Sequence, residues 1–195
     1  MAVCLSSLET GVQASCNAIK KVGGLDKRIY LGAIGDLSAV ALGAGNSVTS
    51  FTFKATKGFV KYIGRKEKNS AGSDIEVGEN VNLRNQNVNL AVYYETAADL
   101  AAIDELIDNE GVFAVVETNP GSLEVFGINK VNFDAYGLKV SANPGTSGLL
   151  LNDSTAFAMV LSGGFTNLQL QYNPSQPLAT NIAALDAQTI DGNES

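Results

Sequence analysis

Between Ile75 and Tyr94, apolar side chains recur at every second position, and midway they change phase. Ile75, Val77, Val81 and Leu83 fall on odd positions, whereas Val88, Leu90, Val92 and Tyr94 fall on even ones. A period of two is the signature of a strand with one face on a core. A strand cannot exchange its faces without an extra residue or a turn, so Arg84-Asn-Gln-Asn87 is expected to hold one. Upstream, the polar run Lys66-Glu-Lys-Asn-Ser-Ala-Gly-Ser73 reads as the turn that joins two long strands into an extended hairpin.

Most of the remaining chain also reads as strand. Arg28–Ile34, Val48–Phe53, Gly58–Gly64, Val112–Glu117, Leu123–Ile128, Phe133–Val140, Ala156–Leu161 and Leu168–Tyr172 are short apolar or alternating runs between turn signals. One helix is well marked. Thr96-Ala-Ala-Asp99 has the form of a capping box, and Leu100, Ile103, Leu106 and Ile107 make an apolar stripe that ends at Asn109-Glu110-Gly111. The expected fold is mainly β: a β-sandwich or small barrel with a long hairpin and one flanking helix.

A chain of 195 residues suits one well-cored domain. Residues 1–174 are expected to form it, including an N-terminal arm at 1–24 in which Leu5, Leu8, Val12, Cys16 and Ile19 suit either a helix face or an irregular arm. Residues 175–195 have no basic side chain and little periodicity, so they read as a flexible or docking tail.

Charge divides the chain. The first 94 residues carry 11 basic and 7 acidic side chains, and the remaining 101 carry 2 and 13. The net −7 argues against general nucleic-acid binding, which needs clustered cations. One basic cluster stands out, Lys54, Lys57, Lys61, Arg65, Lys66 and Lys68, read either as a solvated strand face or as a docking surface for an acidic partner. No stretch approaches the ~20 apolar residues of a spanning helix, and the start lacks the basic and apolar regions of a secretory signal. A protein made in a cytosol is therefore expected, with Cys4 and Cys16 as reduced thiols, although a disulfide between them is conceivable.

Enzymatic chemistry finds little footing. The chain contains no histidine, which removes the commonest general base and most transition-metal sites. Asp74 and Glu76 share a strand face while Glu79 falls on the other, a poor cation cage. Gly23-Gly24, Gly32-Ala-Ile-Gly35 and Gly43-Ala-Gly45 match neither a dinucleotide fingerprint nor a P-loop. No cofactor, metal or catalytic residue is expected.

The order of the segments is itself informative. A Gly-Gly turn leads to Lys27-Arg-Ile-Tyr-Leu31, and a long polar hairpin and an acidic helix follow. Phe126-Gly127, Tyr136-Gly-Leu138, Gly145-Thr-Ser-Gly148, Asn152-Asp153 and Leu161-Ser-Gly-Gly164 close the series. Over residues 4–172 this arrangement resembles the tail-tube-type structural proteins of tailed bacteriophages that infect Bacteroidetes-like hosts. The resemblance implies a non-enzymatic virion protein, built in the host cytoplasm and assembled as stacked homo-oligomeric rings in the phage tail. DNA would be passing cargo in an acidic lumen. Other virion parts (a connector ring, a capsid decoration, a head-fibre base) and a small surface binding module are the competing readings. In an assembly of rings, Lys61, Arg65, Lys66 and Lys68 of one subunit are expected to dock on Asp104, Glu105 and Asp108 of a neighbour.

Overall fold

Val112-Phe-Ala-Val-Val116 is a continuous apolar run, and the fold uses both of its faces. A computed structural model describes residues 25–63, 69–77, 82–93, 97–118, 121–142, 145–146 and 156–190. The expected N-terminal arm, Thr96 at the helix start, and both cysteines lie outside these residues.

The chain begins with β1 (Leu25–Ala33), a single 3-10 turn (Ile34–Asp36), β2 (Leu37–Leu42), β3 (Ser47–Phe53) and β4 (Val60–Ile63). The hairpin strands β5 (Ser70–Val77) and β6 (Asn82–Tyr93) follow, then α1 (Ala97–Asp108), β7 (Val112–Thr118) and β8 (Leu123–Phe126). The last elements are β9 (Lys139–Ala142), β10 (Gly145–Thr146), β11 (Ala156–Phe165), β12 (Leu170–Tyr172) and α2 (Leu178–Asp186). They form a seven-stranded sheet in the order β2-β3-β12-β8-β7-β1-β4 and a five-stranded sheet in which β11 lies between β6 and the short β9 and β10, with β5 outside β6. Pairing is antiparallel except between β12 and β3. The protein is mainly β, and neither sheet closes into a barrel.

Alternation sorts the core into two layers. From the central strands β1 and β7, Ile29, Leu31, Val112, Ala114 and Val116 face the five-stranded sheet, where they meet Val88, Leu90, Met159 and Leu161. α1 adds Ile103 and Leu106 of its expected stripe to this layer, while Leu100 and Ile107 stay exposed. The alternate residues Tyr30, Phe113 and Val115 point to the opposite face and join Phe51, Phe59, Tyr172 and Leu185. Phe51 on β3 and Phe59, just before β4, belong to opposite sides of the seven-stranded order, yet their ring centroids lie 5.6 Å apart. The large sheet is therefore strongly curled around its aromatic contents, and α2 lies against the second layer.

Four expectations are corrected. The hairpin is not joined at 66–73: β5 already begins at Ser70, and its last pair with β6 is Val77↔Asn82. Nor is there a bulge at 84–87, because β5 and β6 pair in unbroken register from Ser70↔Asn89 to Val77↔Asn82. Leu83 already lies on β6, opposite Glu76 and 37% exposed, so the phase change falls within that strand: Leu83 is on its outer face, and Val88 and Leu90 are on its core face. Residues 133–137 form a turn and irregular backbone instead of strand, with Asn132 O accepting from Ala135 N at 3.4 Å. Finally, residues 175–190 are no loose tail. They carry α2, bury Leu185 and Asn181, and pair with Phe59 through Thr189.

A buried polar network ties the layers together. Gln86 is completely buried on β6; its Nε2 donates to Asn167 O at 2.9 Å, and its Oε1 accepts from Gly127 N at 2.8 Å. Asn167 Nδ2 donates to Ile128 O at 3.0 Å, and its Oδ1 accepts from Lys130 N at 3.0 Å. Gly127 has φ +88°, and a Cβ there would press on Val112 O and Phe113 Cα, so both its backbone and its space exclude a side chain.

Candidate functional site: a charged cleft and a projecting hairpin

Two surface features combine the residue types that could recognise a partner. The first is an open cleft of about 810 Å³ between the 3-10 turn, the C-terminal end of α1 and the 134–139 segment. α1 has no basic residue in its last turn, so Glu105 and Asp108 stand at the negative pole of the helix. Asp36, Glu110 and Asp134 join them around the cleft, facing Lys54, Lys57 and Lys139. Part of this charge is already matched: Lys57 Nζ lies 3.7 Å from Asp36, and Lys54 Nζ donates to Gly35 O at 2.5 Å. Tyr136 accepts from Asn129 Nδ2 at 2.9 Å, which holds its ring at the rim. Among the described residues, no cluster of three or more acidic, histidine or cysteine side chains could hold a metal ion. The arrangement suits electrostatic contact with a surface of mixed charge.

The second feature is the outer half of the β5–β6 hairpin. On its core-facing side, Ala71 packs against the first layer and Ser73 Oγ donates to Gln169 Oε1 at 2.7 Å. One step further out the packing ends, while the apolar alternation continues. Ile75 is 64% exposed and Val77 80%. On the opposite side, Asn85 Nδ2 donates to Glu76 at 3.0 Å, Asn87 Nδ2 to Asp74 at 3.4 Å, and Asn89 Nδ2 to Ser70 at 2.8 Å. β5 is an edge strand, and the carboxylates of Asp74 and Glu76 guard it against indiscriminate pairing.

The docking residues expected from the sequence are distributed differently. Lys61 donates to Asp186 Oδ1 of its own chain at 2.7 Å. Arg65, Lys66 and Lys68 lie outside the described residues. Glu105 and Asp108 meet in the cleft, while Asp104 is exposed on α1 and does not line it. Tyr62, next to Lys61, reaches α1 and donates to Ala102 O at 3.3 Å. Burial pushes its phenol pKa upward, and the nearby Glu105 carboxylate adds to the rise. β4 thus stands beside the acidic helix of the same chain, a proximity that sequence distance conceals. Asp36, Glu110 and Asp134 were not singled out, because isolated surface acids carry no sequence signal until the fold gathers them.

No helix among the described residues is long and apolar enough to cross a membrane. No family model, curated protein or solved structure matches this chain.

Proposed function

We propose that this chain is a self-assembling structural subunit of the phage tail-tube type, which forms stacked rings around a passage for DNA in the virion. The observation that carries the reading is the projecting hairpin. A strand whose apolar alternation continues past its own core, with Ile75 and Val77 exposed, is built to be covered. The outer backbone edge of β5, which no strand among the described residues pairs, lies beside them and suits strand addition.

The opposite edge of the same sheet offers a matching surface. β9 carries Val140, packed toward the first core layer, and Lys139 on the other face, in register with Ser162. Joining β5 of one copy to β9 of the next places Ile75 and Val77 on the side of Val140, and Asp74 and Glu76 on the side of Lys139. The stagger this requires is of the kind any ring of tilted strands contains. The exposed face of the sheet also supports a sliding cargo. Its asparagines donate to the chain's own acceptors, and Asp74 and Glu76 repel phosphate.

Light scattering and negative-stain imaging of the purified chain test the proposal. Rings or tubes are expected, and their loss in Ile75→Lys/Val77→Lys with unfolding behaviour unchanged. A wild-type chain that stays monomeric at high concentration removes the reading.

A further inference from the structure

Beyond β12 the chain turns through Asn173-Pro-Ser-Gln-Pro177 and lays α2 on the second core layer. Leu185 is fully buried there, and Leu178 and Ile182 pack half-buried beside it. Asp186 Oδ1 accepts from Tyr30 OH at 2.9 Å and from Lys61 Nζ at 2.7 Å. Past the helix, Phe59 N donates to Gln188 O at 2.9 Å and Ile190 N donates to Phe59 O at 2.8 Å. None of these contacts depends on which copy supplies the segment.

The two arrangements differ only at the connection. Asn173 has φ +38°, a left-handed conformation for a residue with a side chain. It also precedes Pro174, and a residue before proline favours extended backbone. Gln176 stands under the same bias before Pro177, itself extended at φ −58° and ψ 144°. Opposing an opening of the turn are Gln176 N donating to Asn173 O at 3.1 Å, Asn181 Nδ2 donating to the same oxygen at 3.0 Å and Ser175 Oγ donating to Asn173 Oδ1 at 3.1 Å. Straightening it gives up these three bonds, releases Asn173 from its left-handed state, and lets the other contacts beyond Pro177 be remade on another chain. A short strained connection of this kind favours exchange of identical elements.

The geometry points to exchange of the C-terminal segment 178–190 between copies of this chain, with α2 of one copy seated on Tyr30, Phe59 and Lys61 of the next. The occupant is a second copy because the cradle is complementary to this sequence: Lys61 to Asp186, the apolar layer to Leu185, and the Phe59 backbone to Gln188 and Ile190. The inference rests on the reading of the chain as a self-assembling subunit.

Val60 and Ile190 are exposed and follow the bridged pair Phe59–Thr189 in parallel register, so they suit a cross-link. In a background of Cys4→Ser and Cys16→Ser, the double variant Val60→Cys/Ile190→Cys is assembled, oxidised and run on a denaturing gel. Exchange gives a ladder of linked chains that is absent from either single variant. Asn173→Gly, which removes the left-handed penalty of the closed turn, reduces the linked fraction several-fold. A single monomer-sized band overturns the inference, as does a ladder that persists in a single variant. Light scattering on the same sample separates the two claims. An oligomer whose chains run singly after denaturation removes only the exchange, whereas a monomer removes the assembly reading itself.

Discussion

Lys61 Nζ and Asp186 Oδ1 lie 2.7 Å apart, joining β4 to α2 across 125 positions of sequence. Tyr30 OH donates to the same oxygen at 2.9 Å, and the ammonium stands 5.6 Å from the centre of the Tyr30 ring. One carboxylate therefore fastens the C-terminal helix to two strands of the large sheet. Partial burial alone would raise the Asp186 pKa, but the hydrogen bonds from Lys61 and Tyr30 outweigh it and hold the value below the usual carboxylate range. The Tyr30 phenol moves the opposite way, raised first by its burial and then by its bond to Asp186.

These shifts predict a stability profile with two edges. A depressed carboxylate stabilises the fold above its unfolded pKa of about 4, and the contribution fades as pH falls through the lower folded value. Asp186→Asn should therefore lower the melting temperature at neutral pH, with the gap to wild type closing below about pH 4. Because the pair is partly exposed, the loss is about 0.5–1 kcal/mol. A raised phenol keeps its full contribution up to the unfolded pKa of about 10 and loses it as pH climbs toward the higher folded value. Tyr30→Phe should flatten the alkaline limb of the same profile. Thermal melts across pH check both, and a constant gap between wild type and Asp186→Asn at every pH contradicts the assignment.

The part of this arrangement that sequence reveals is the local part. Val88 and Leu90 alternate because β6 has a core on one face only, and Ile103 and Leu106 share a stripe because α1 does. The change of phase after Leu83 is visible too, but it needs no bulge: Leu83 sits on the outer face of β6 opposite Glu76, while Val88 and Leu90 on the same unbroken strand face the core. β2 escaped notice because Ser38, Ala39 and Ala41 blur its alternation. α2 escaped because only Leu178, Ile182 and Leu185 mark its buried face, at a helical spacing diluted by alanines. The Lys61–Asp186 contact and the acids of the cleft depend on tertiary proximity, to which no periodicity corresponds.

Gln86 offers a test of the polar network between the sheets. Its side chain satisfies Gly127 N and Asn167 O in a site with no solvent exposure at the glutamine. Gln86→Leu keeps comparable volume but leaves both backbone groups without this partner, at a cost of about 1–3 kcal/mol for each buried group that stays unsatisfied. Urea unfolding should show a lower midpoint with an unchanged slope. A stability equal to wild type would mean that water reaches the two groups.

Ile103 tests the packing of the acidic helix. It is 1% exposed between α1 and the first core layer. Ile103→Asp buries a charge where no cation is within the apolar cluster, and a loss of about 3–4 kcal/mol is expected. Asp104→Ala, one position on and exposed, should change stability by less than about 0.5 kcal/mol. Denaturant melts of the two variants check the contrast, and equal effects would contradict the placement of the helix.

Gly58 tests whether the C-terminal segment belongs to the core. A Cβ at Gly58 would collide with the Gln188 carbonyl oxygen and press on Ile190 Cγ1 at 3.0 Å. The neighbour struck is backbone held by the Phe59 hydrogen bonds, so it cannot swing aside as a side-chain end can. Gly58→Ala should therefore destabilise by about 1–3 kcal/mol, the usual cost of overpacking. Hydrogen exchange at the Phe59 and Ile190 amides should accelerate with it, because both bonds lie in the strained contact. Overpacking that acts through this one contact must also be non-additive with removal of its partner. In a chain ending at Ala187, the carbonyl of Gln188 is gone, and Gly58→Ala should then cost little beyond the truncation. If the substitution costs the same with and without residues 188–195, the collision is not its cause, and the pairing of the C-terminal segment with Phe59 fails with it.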